Sequence, residues 1–350
     1  MNIEILNTRD PQWRQSYDGL DETHKDIFYH PGFAAVCQES IDSRHQVRCA
    51  MVHNDKGILL YPFVQRQLAA GSLYDITGLY GRGGVATNIQ QKSLLEEFHL
   101  EFAAWCKDHH IVCGFDRFHP VTKNHLAAST GTKIFETGQF VVLELTDPIE
   151  EIERHFEHEH RKSIKKAERA EVEIFYEQNL AHLDEFLSIY HSTLDRREAE
   201  SFYYFPKNFY QGLLENIPGR FAFFYARYEG HLISCELVLF EGAYGHSYLG
   251  GTLFDYRHVC PNVLLKRDII RYLKAQHCRY FLLGGGNRPN DGIFRYKLGF
   301  SPKGERPSYI GGTIYDPQAY ENLGEVMAAK GCAINKNRFQ FYDPFLVEVG

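Results

Sequence analysis

Hydrophobic and polar positions alternate with a period of two in two places that are built alike. Arg48 to His53 alternates, breaks at Asn54-Asp55-Lys56-Gly57, and resumes over Ile58 to Val64. Phe221 to Arg227 breaks at Glu229-Gly230 and resumes over Leu232 to Phe240. Two β-like runs around a short polar turn predict a hairpin in each place. A glycine-rich apolar segment follows each one, ITGLYGRGGVAT at 76–87 and HSYLGGT at 246–252. Next comes a helical period, Lys92 to His110 and about Asn262 to His277, and then a strand, Ile111 to Phe118 and Arg279 to Leu283. The doublets Leu94-Leu95 and Leu264-Leu265 lie 170 residues apart, close to the spacing of the two hairpin turns. One element order repeated at one offset predicts two related lobes, against the competing reading of coincidence between common α/β elements.

The fold expected is therefore α/β (α+β): two tandem lobes, each a mixed, mostly antiparallel sheet flanked by helices. The lobes are assigned to residues 1–147 and 148–350, the second with a C-terminal extension. Smaller signals fill the gaps. Ile3 to Leu6 reads as a strand, His30-Pro31-Gly32 opens a helix, and Phe140 to Leu145 is strand-like before Asp147-Pro148. Ile149 to Glu171 reads as one polar helix in which Arg161, Lys162, Lys165, Lys166 and Arg169 recur every three or four residues. Such a face is ordinarily solvated; the alternative is a local patch for phosphate groups.

The stretch FLLGGGNRPNDGIFRYKLGF (281–300) draws the eye next. An apolar strand exits into Gly284-Gly285-Gly286, a polar loop follows, and then Arg295-Tyr296-Lys297. Glycines let a backbone turn sharply and admit a bulky ligand. Two cations beside a tyrosine suit an anionic or carbonyl-bearing substrate. A plain strand, turn and helix with surface charges is the competing reading.

Composition narrows the classes. Of 350 residues, 24% are charged and 44% hydrophobic, which is the profile of a folded soluble chain. A formal net charge of −7 gives no global attraction for nucleic acid or acidic membranes, so a polyanion needs a local basic patch. The N-terminal residues show no signal-peptide pattern and no long uncharged apolar run occurs, so a cytoplasmic location is expected. Eight scattered cysteines read as reduced core thiols. Cys106-x-x-His109-His110-x-x-Cys113 has ligand-like spacing, yet it crosses a helix end into a strand and lacks a second cysteine pair, so no metal is expected. His155, His158 and His160 are expected on the solvent side of their helix.

Five motifs taken in order resemble the FemAB/FemX family and its acetyltransferase-like relatives. They are Tyr80-Gly81-Arg82-Gly83-Gly84, RKSIKKAERAEV (161–172), TLDRREAESF (193–202), Ser247-Tyr248-Leu249-Gly250-Gly251, and FLLGGG with FRYKLGF. The likeness spans about residues 30–310. It implies two GNAT-like lobes and transfer of an aminoacyl group from aminoacyl-tRNA to an amine on a nucleotide- or lipid-linked cell-wall or surface-glycan precursor. It also implies roles by position. Lys297 supports the transferred carbonyl or a phosphate as the catalytic cation, with Arg295 aiding the leaving group. Arg196 grips a nucleotide-sugar diphosphate, and Tyr80 and Tyr248 line the acceptor channel. Arg161, Lys162, Lys165 and Lys166 are the donor or phosphate-binding set. Arg82 stands where the family usually has a second tyrosine, and the long coiled-coil arm of some members has no room here. No cofactor is implied.

Local chemistry keeps alternatives open. Lys297 competes with a helix-capping or surface-paired reading, and Arg196 with a helix-surface pair to Glu198 or Glu200. Glu236 shares a strand face with Ser234 and is a candidate proton acceptor, against its reading as a solvated or paired strand residue. An acyl-CoA donor normally meets a glycine-bearing loop before the main helix. Asn88 to Lys92 and Tyr256 to Asn262 lack those glycines, which favours a different donor. Acyl-CoA-dependent acylation of an amino sugar, and a catalytically silent sugar-nucleotide-binding protein, remain the alternatives.

Overall fold

A computed structural model describes residues 2–69, 71–286, 291–335 and 338–342. The polar loop at 287–290 lies outside the described residues. In chain order the first elements are β1 (Glu4–Asn7), α1 (Pro11–Asp18), α2 (Pro31–Ser40), β2 (Gln46–Asn54), β3 (Gly57–Gln67), β4 (Tyr74–Thr77), β5 (Ala86–Thr87), α3 (Lys92–Asp108), β6 (Ile111–Arg117) and β7 (Lys133–Glu144). There follow α4 (Ile149–Arg154), α5 (His158–Arg169), β8 (Glu173–Glu177), α6 (Leu183–Arg196), α7 (Lys207–Asn216), β9 (Phe221–Tyr228), β10 (His231–Glu241) and β11 (Tyr244–Thr252). The last are α8 (Pro261–Ala275), β12 (Tyr280–Gly284), α9 (Gly292–Leu298), β13 (Glu305–Ile314) and α10 (Pro317–Ala329).

The chain divides into two compact units. Met1–His24, Phe28–Thr137 and Ser308–Gly350 form the first; Lys25–Ile27 and Gly138–Pro307 form the second. This differs from a boundary at 147 with everything beyond it in one lobe. Residues 308–350 belong to the first unit because β13 pairs antiparallel with β6, from Ile310 opposite Arg117 to Ile314 opposite Cys113. Beneath α10, Leu323 and Met327 pack with Val112, Cys113 and Tyr342.

In the first unit the strand order is β1-β2-β3-β4-β6-β13, with β5 also on β3. The β4–β6 pair is parallel and joined through α3; the neighbours are antiparallel. In the second unit the order is β7-β12-β11-β10-β9-β8, and the β11–β12 pair, joined through α8, is the parallel one. Each unit thus runs hairpin, crossover helix, parallel strand, and an antiparallel neighbour taken from elsewhere in the sequence. The crossover helices even finish alike: His110 (φ 57°) after α3 and His277 (φ 62°) after α8 both turn left-handed before the next strand. The hairpin turn Glu229-Gly230 has φ of 50° and 80°, the two left-handed residues that match the right-handed twist of β9 and β10.

The helix read over 149–171 is two helices. It breaks because the Glu157 amide donates to the Gly299 carbonyl at 2.8 Å, while the Arg161 guanidinium donates to the carbonyls of Arg154 and Phe156. The reading of His160 as solvent-facing is also corrected. Its ring packs on Phe300 at 4.4 Å and its Nε2 meets the Tyr296 carbonyl at 2.8 Å, while His155 and His158 are exposed.

Candidate active site in the second unit

The parallel strands β11 and β12 pair at only three positions, Tyr244–Tyr280, Gly245–Phe281 and His246–Leu282. Beyond that rung they follow different partners. β11 stays on β10 as far as Thr252, and β12 stays on β7 until Gly284 faces Val141. The ladder therefore opens into a V that begins at Ser247 and Leu283. Strands that part in this way expose backbone donors and acceptors to an incoming ligand.

A buried charge cluster lies at the root of the V. Lys266 of α8 places Nζ 2.5 and 2.6 Å from the two carboxylate oxygens of Glu236 on β10, and 2.9 Å from Ser247 Oγ. Both charged residues are buried, and the ammonium stands 5.3 Å from the centre of the Phe281 ring. Burial lowers the Lys266 pKa, and the Glu236 carboxylate pulls it back up. One strand register away, His246 Nε2 lies 2.7 Å from Asp26 Oδ2, both residues buried.

The helix α9 forms one lip. Asp291 caps it by accepting from the Phe294 amide at 2.8 Å, and Phe294 anchors it in the core. Tyr296 donates its hydroxyl to the Asn262 carbonyl at 3.1 Å, tying α9 to the start of α8. Burial raises its pKa, and the nearby Glu236 charge adds to that. The Lys297 ammonium donates to the Gly285 carbonyl at 2.7 Å, so it lies directly against the glycine exit of β12. Gly284 must be glycine: its φ is +95°, and a Cβ there would stand 2.7 Å from Lys297 Nζ. Arg295 is exposed on the same helix.

At the open end of β11, Arg196 and Arg257 gather on the exposed ring of Phe254, at 5.3 and 3.8 Å from its centre. Arg196 also donates to the Thr252 carbonyl at 3.4 Å. Arg196 is on α6, which is pressed onto β11 so closely that a Cβ on Gly251 would meet the Ile189 carbonyl at 2.8 Å. Half-buried Tyr248 stacks on Phe209 at 6.1 Å. The residues before α8 form a 3-10 turn, Phe254–Val259, ending in Cys260 with φ 55°, and Pro261 opens the helix.

In the second unit Lys297 lies at the outlet of β12, Tyr248 and the carbonyl that Arg196 reaches lie along the part of β11 beyond the last rung, and Arg295 is exposed on α9. The basic set is on α5, whose His160 meets the Tyr296 carbonyl of α9. Ile164 and Ala167 turn the inner face of α5 into the core, which leaves Lys162, Lys165 and Lys166 exposed on the outer face. Arg161 is engaged with the backbone at the end of α4. Tyr80 and Arg82 belong to the first unit; Tyr80 is half-buried, with its pKa raised by burial, and Arg82 reaches the Phe118 carbonyl at 3.5 Å. Cys106 and Cys113 are buried in the first unit while His109 stacks on Trp105 at 4.3 Å.

In the sequence Ser247 reads only as the start of a glycine motif and Lys266 is passed over, although a signal for Lys266 existed. Lys266 occupies the apolar stripe of α8 that continues through Ile269, Ile270 and Leu273, where a charge requires a buried partner. Glu236 proves to be the paired strand residue of the two readings offered for it, and Lys266 is its partner.

Known proteins resemble this chain in fold and, in part, in sequence. Residues 154–298 match the family model described as an acetyltransferase (GNAT) domain. No curated protein matches the sequence. Among solved structures, FemX aligns over 92% of this chain and 100% of its own, with a TM-score of 0.69 at 13% identity. L-PGS from Bacillus licheniformis aligns over 92% of this chain and 98% of its own, with a TM-score of 0.57 at 14% identity. A tandem GNAT protein from the clavulanic acid biosynthesis pathway aligns over 90% of this chain and 99% of its own, with a TM-score of 0.53 at 10% identity. The chain has the fold of FemX along most of its length, and the match of its residues 154–298 to an acetyltransferase (GNAT) domain supports an acyltransferase.

Proposed function

We propose that this acyltransferase moves an aminoacyl group from aminoacyl-tRNA to an amine on a nucleotide- or lipid-linked cell-wall or surface-glycan precursor, in the cytoplasm. The observation that carries the reading is the pairing of Lys297 with the glycine exit of β12. It puts an ammonium beside an opening between parallel strands, and a 3-10 turn rather than a glycine loop precedes α8. A positioned cation suits the oxyanion formed when an amine attacks an ester carbonyl. The amine nitrogen forms the new C–N bond and loses its proton, and the 3′-oxygen of the tRNA leaves as a hydroxyl. An ester donor is already activated, so the chain need supply little beyond orientation and charge. Arg196 and Arg257, gathered on Phe254, suit the phosphates of the acceptor.

The match of residues 154–298 to an acetyltransferase domain favours a second reading, acyl-CoA-dependent N-acylation of an amino sugar. Incubation with radiolabelled aminoacyl-tRNA and a sugar-nucleotide amine tests the first. Label transfer abolished by RNase is expected. Transfer from acetyl-CoA that survives RNase replaces it with the second, and sugar-nucleotide binding without any transfer overturns both.

A further inference from the structure

The first unit holds a cavity of about 40 Å³ between α3 and the sheet, enough for a few waters or a small ligand group. Its acidic group is Asp116 of β6; its walls include the rings of Tyr61, Phe102, Phe118 and Tyr315, with His99 of α3 and the hydroxyl residues Ser129, Thr132 and Thr313 beside them. Asp116 Oδ2 accepts from the Tyr61 hydroxyl at 2.9 Å and Oδ1 from the Gly84 amide at 2.8 Å. Each carboxylate oxygen keeps a further lone pair. The groups facing it carry no compensating charge. Burial holds the Tyr61 and Tyr315 phenols well above their usual pKa and lowers that of His99, and no lysine or arginine lines the cavity. Burial raises Asp116 to about 6, so at pH 8 it is a carboxylate walled by rings.

The second unit holds an ammonium in a comparable place, between its crossover helix and its sheet. There Lys266 is held by the Glu236 carboxylate and faces the Phe281 ring. In the first unit α3 offers His99, and no ammonium, to the cavity. Its imidazole turns Nε2 to the Ala127 carbonyl at 2.8 Å.

We propose that the first-unit cavity binds a small primary ammonium group, with Asp116 as its counter-ion and the rings of Tyr61, Phe102, Phe118 and Tyr315 as its cage. An ammonium against ring faces and a desolvated carboxylate is a favoured pairing. The site is independent of the acyl-transfer reading, since it uses none of the residues of the β11–β12 opening.

The test titrates ethylammonium chloride into the full chain at pH 8 and follows thermal unfolding, with sodium chloride and ethanol as controls. So small a ligand binds in the millimolar range. Saturable stabilisation on the order of 1–2 °C by ethylammonium alone is expected. Asp116→Asn removes the counter-ion and His99→Lys fills the cavity with the chain's own ammonium, so each abolishes the response. No saturable shift in the wild type, or a shift retained by Asp116→Asn, overturns the proposal. Should Asp116→Asn fail to fold, His99→Lys decides, and a retained shift there overturns it.

Discussion

Lys266 and Glu236 form a buried ion pair, Nζ lying 2.5 and 2.6 Å from the carboxylate oxygens, at the point where β11 and β12 separate. A pair this enclosed fixes three elements at once, because Ser247 of β11 takes a third hydrogen bond from the same ammonium. Removing one partner leaves a buried charge, which costs about 3–5 kcal/mol. Lys266→Met and Glu236→Leu are each expected to lose stability of that order in urea unfolding. The double variant is expected to recover most of it, to within about 1 kcal/mol of the wild type.

Lys297 makes a contrasting case. Its ammonium is half-buried and donates to the Gly285 backbone carbonyl, an uncharged partner, so Lys297→Ala is expected to cost about 1 kcal/mol of stability. Transfer is expected to fall about 100-fold or more, the usual loss when an oxyanion partner is removed. Parallel unfolding curves and initial rates check it; an unchanged rate removes Lys297 from the mechanism.

Arg196 and Arg257 share the Phe254 ring, which fixes two guanidinium groups close together on an exposed surface. Arg196→Glu is expected to weaken binding of a nucleotide diphosphate sugar about tenfold or more, with a smaller loss at high salt. Calorimetric titration at two ionic strengths measures both.

Gly251 governs how closely α6 approaches β11. A Cβ there would stand 2.7 Å from Thr193 Oγ1 and 2.8 Å from the Ile189 carbonyl, so Gly251→Ala must push the helix away. Overpacking of this kind costs about 1–3 kcal/mol. Because Arg196 is on that helix, sugar-nucleotide affinity is expected to drop together with stability.

Asp116 gives a pH signature. Its folded pKa of about 6 lies above the unfolded value near 3.8, so the native state holds the extra proton. The associated stabilisation is fully present below the unfolded pKa and is lost as pH rises through 6. Asp116→Asn has no such loss, since its amide oxygen still accepts from Gly84. Relative to the wild type it is expected to be more stable at pH 8 than at pH 4, by about 1–3 kcal/mol. Melting curves at the two pH values measure the difference; a pH-independent gap refutes the shift.

The sequence by itself determined what is local. Period-two runs around Asn54 to Gly57 and Glu229-Gly230 fixed the hairpins, the apolar stripes of α3 and α8 fixed the crossover helices, and the repeated order disclosed the duplication. Lys297 and the glycine exit were legible for the same reason, being twelve residues apart with the reach of one side chain between Lys297 and Gly285. Only tertiary structure decided what depends on distant pairing. β13 joins β6 across nearly 200 residues of chain, and no local pattern names a strand's partner. Lys266 finds Glu236 across thirty residues, and Arg196 meets Phe254 from another helix. Periodicity reports which face of an element is buried; it does not report what that face is buried against, and the chemistry of the opening is made of those meetings.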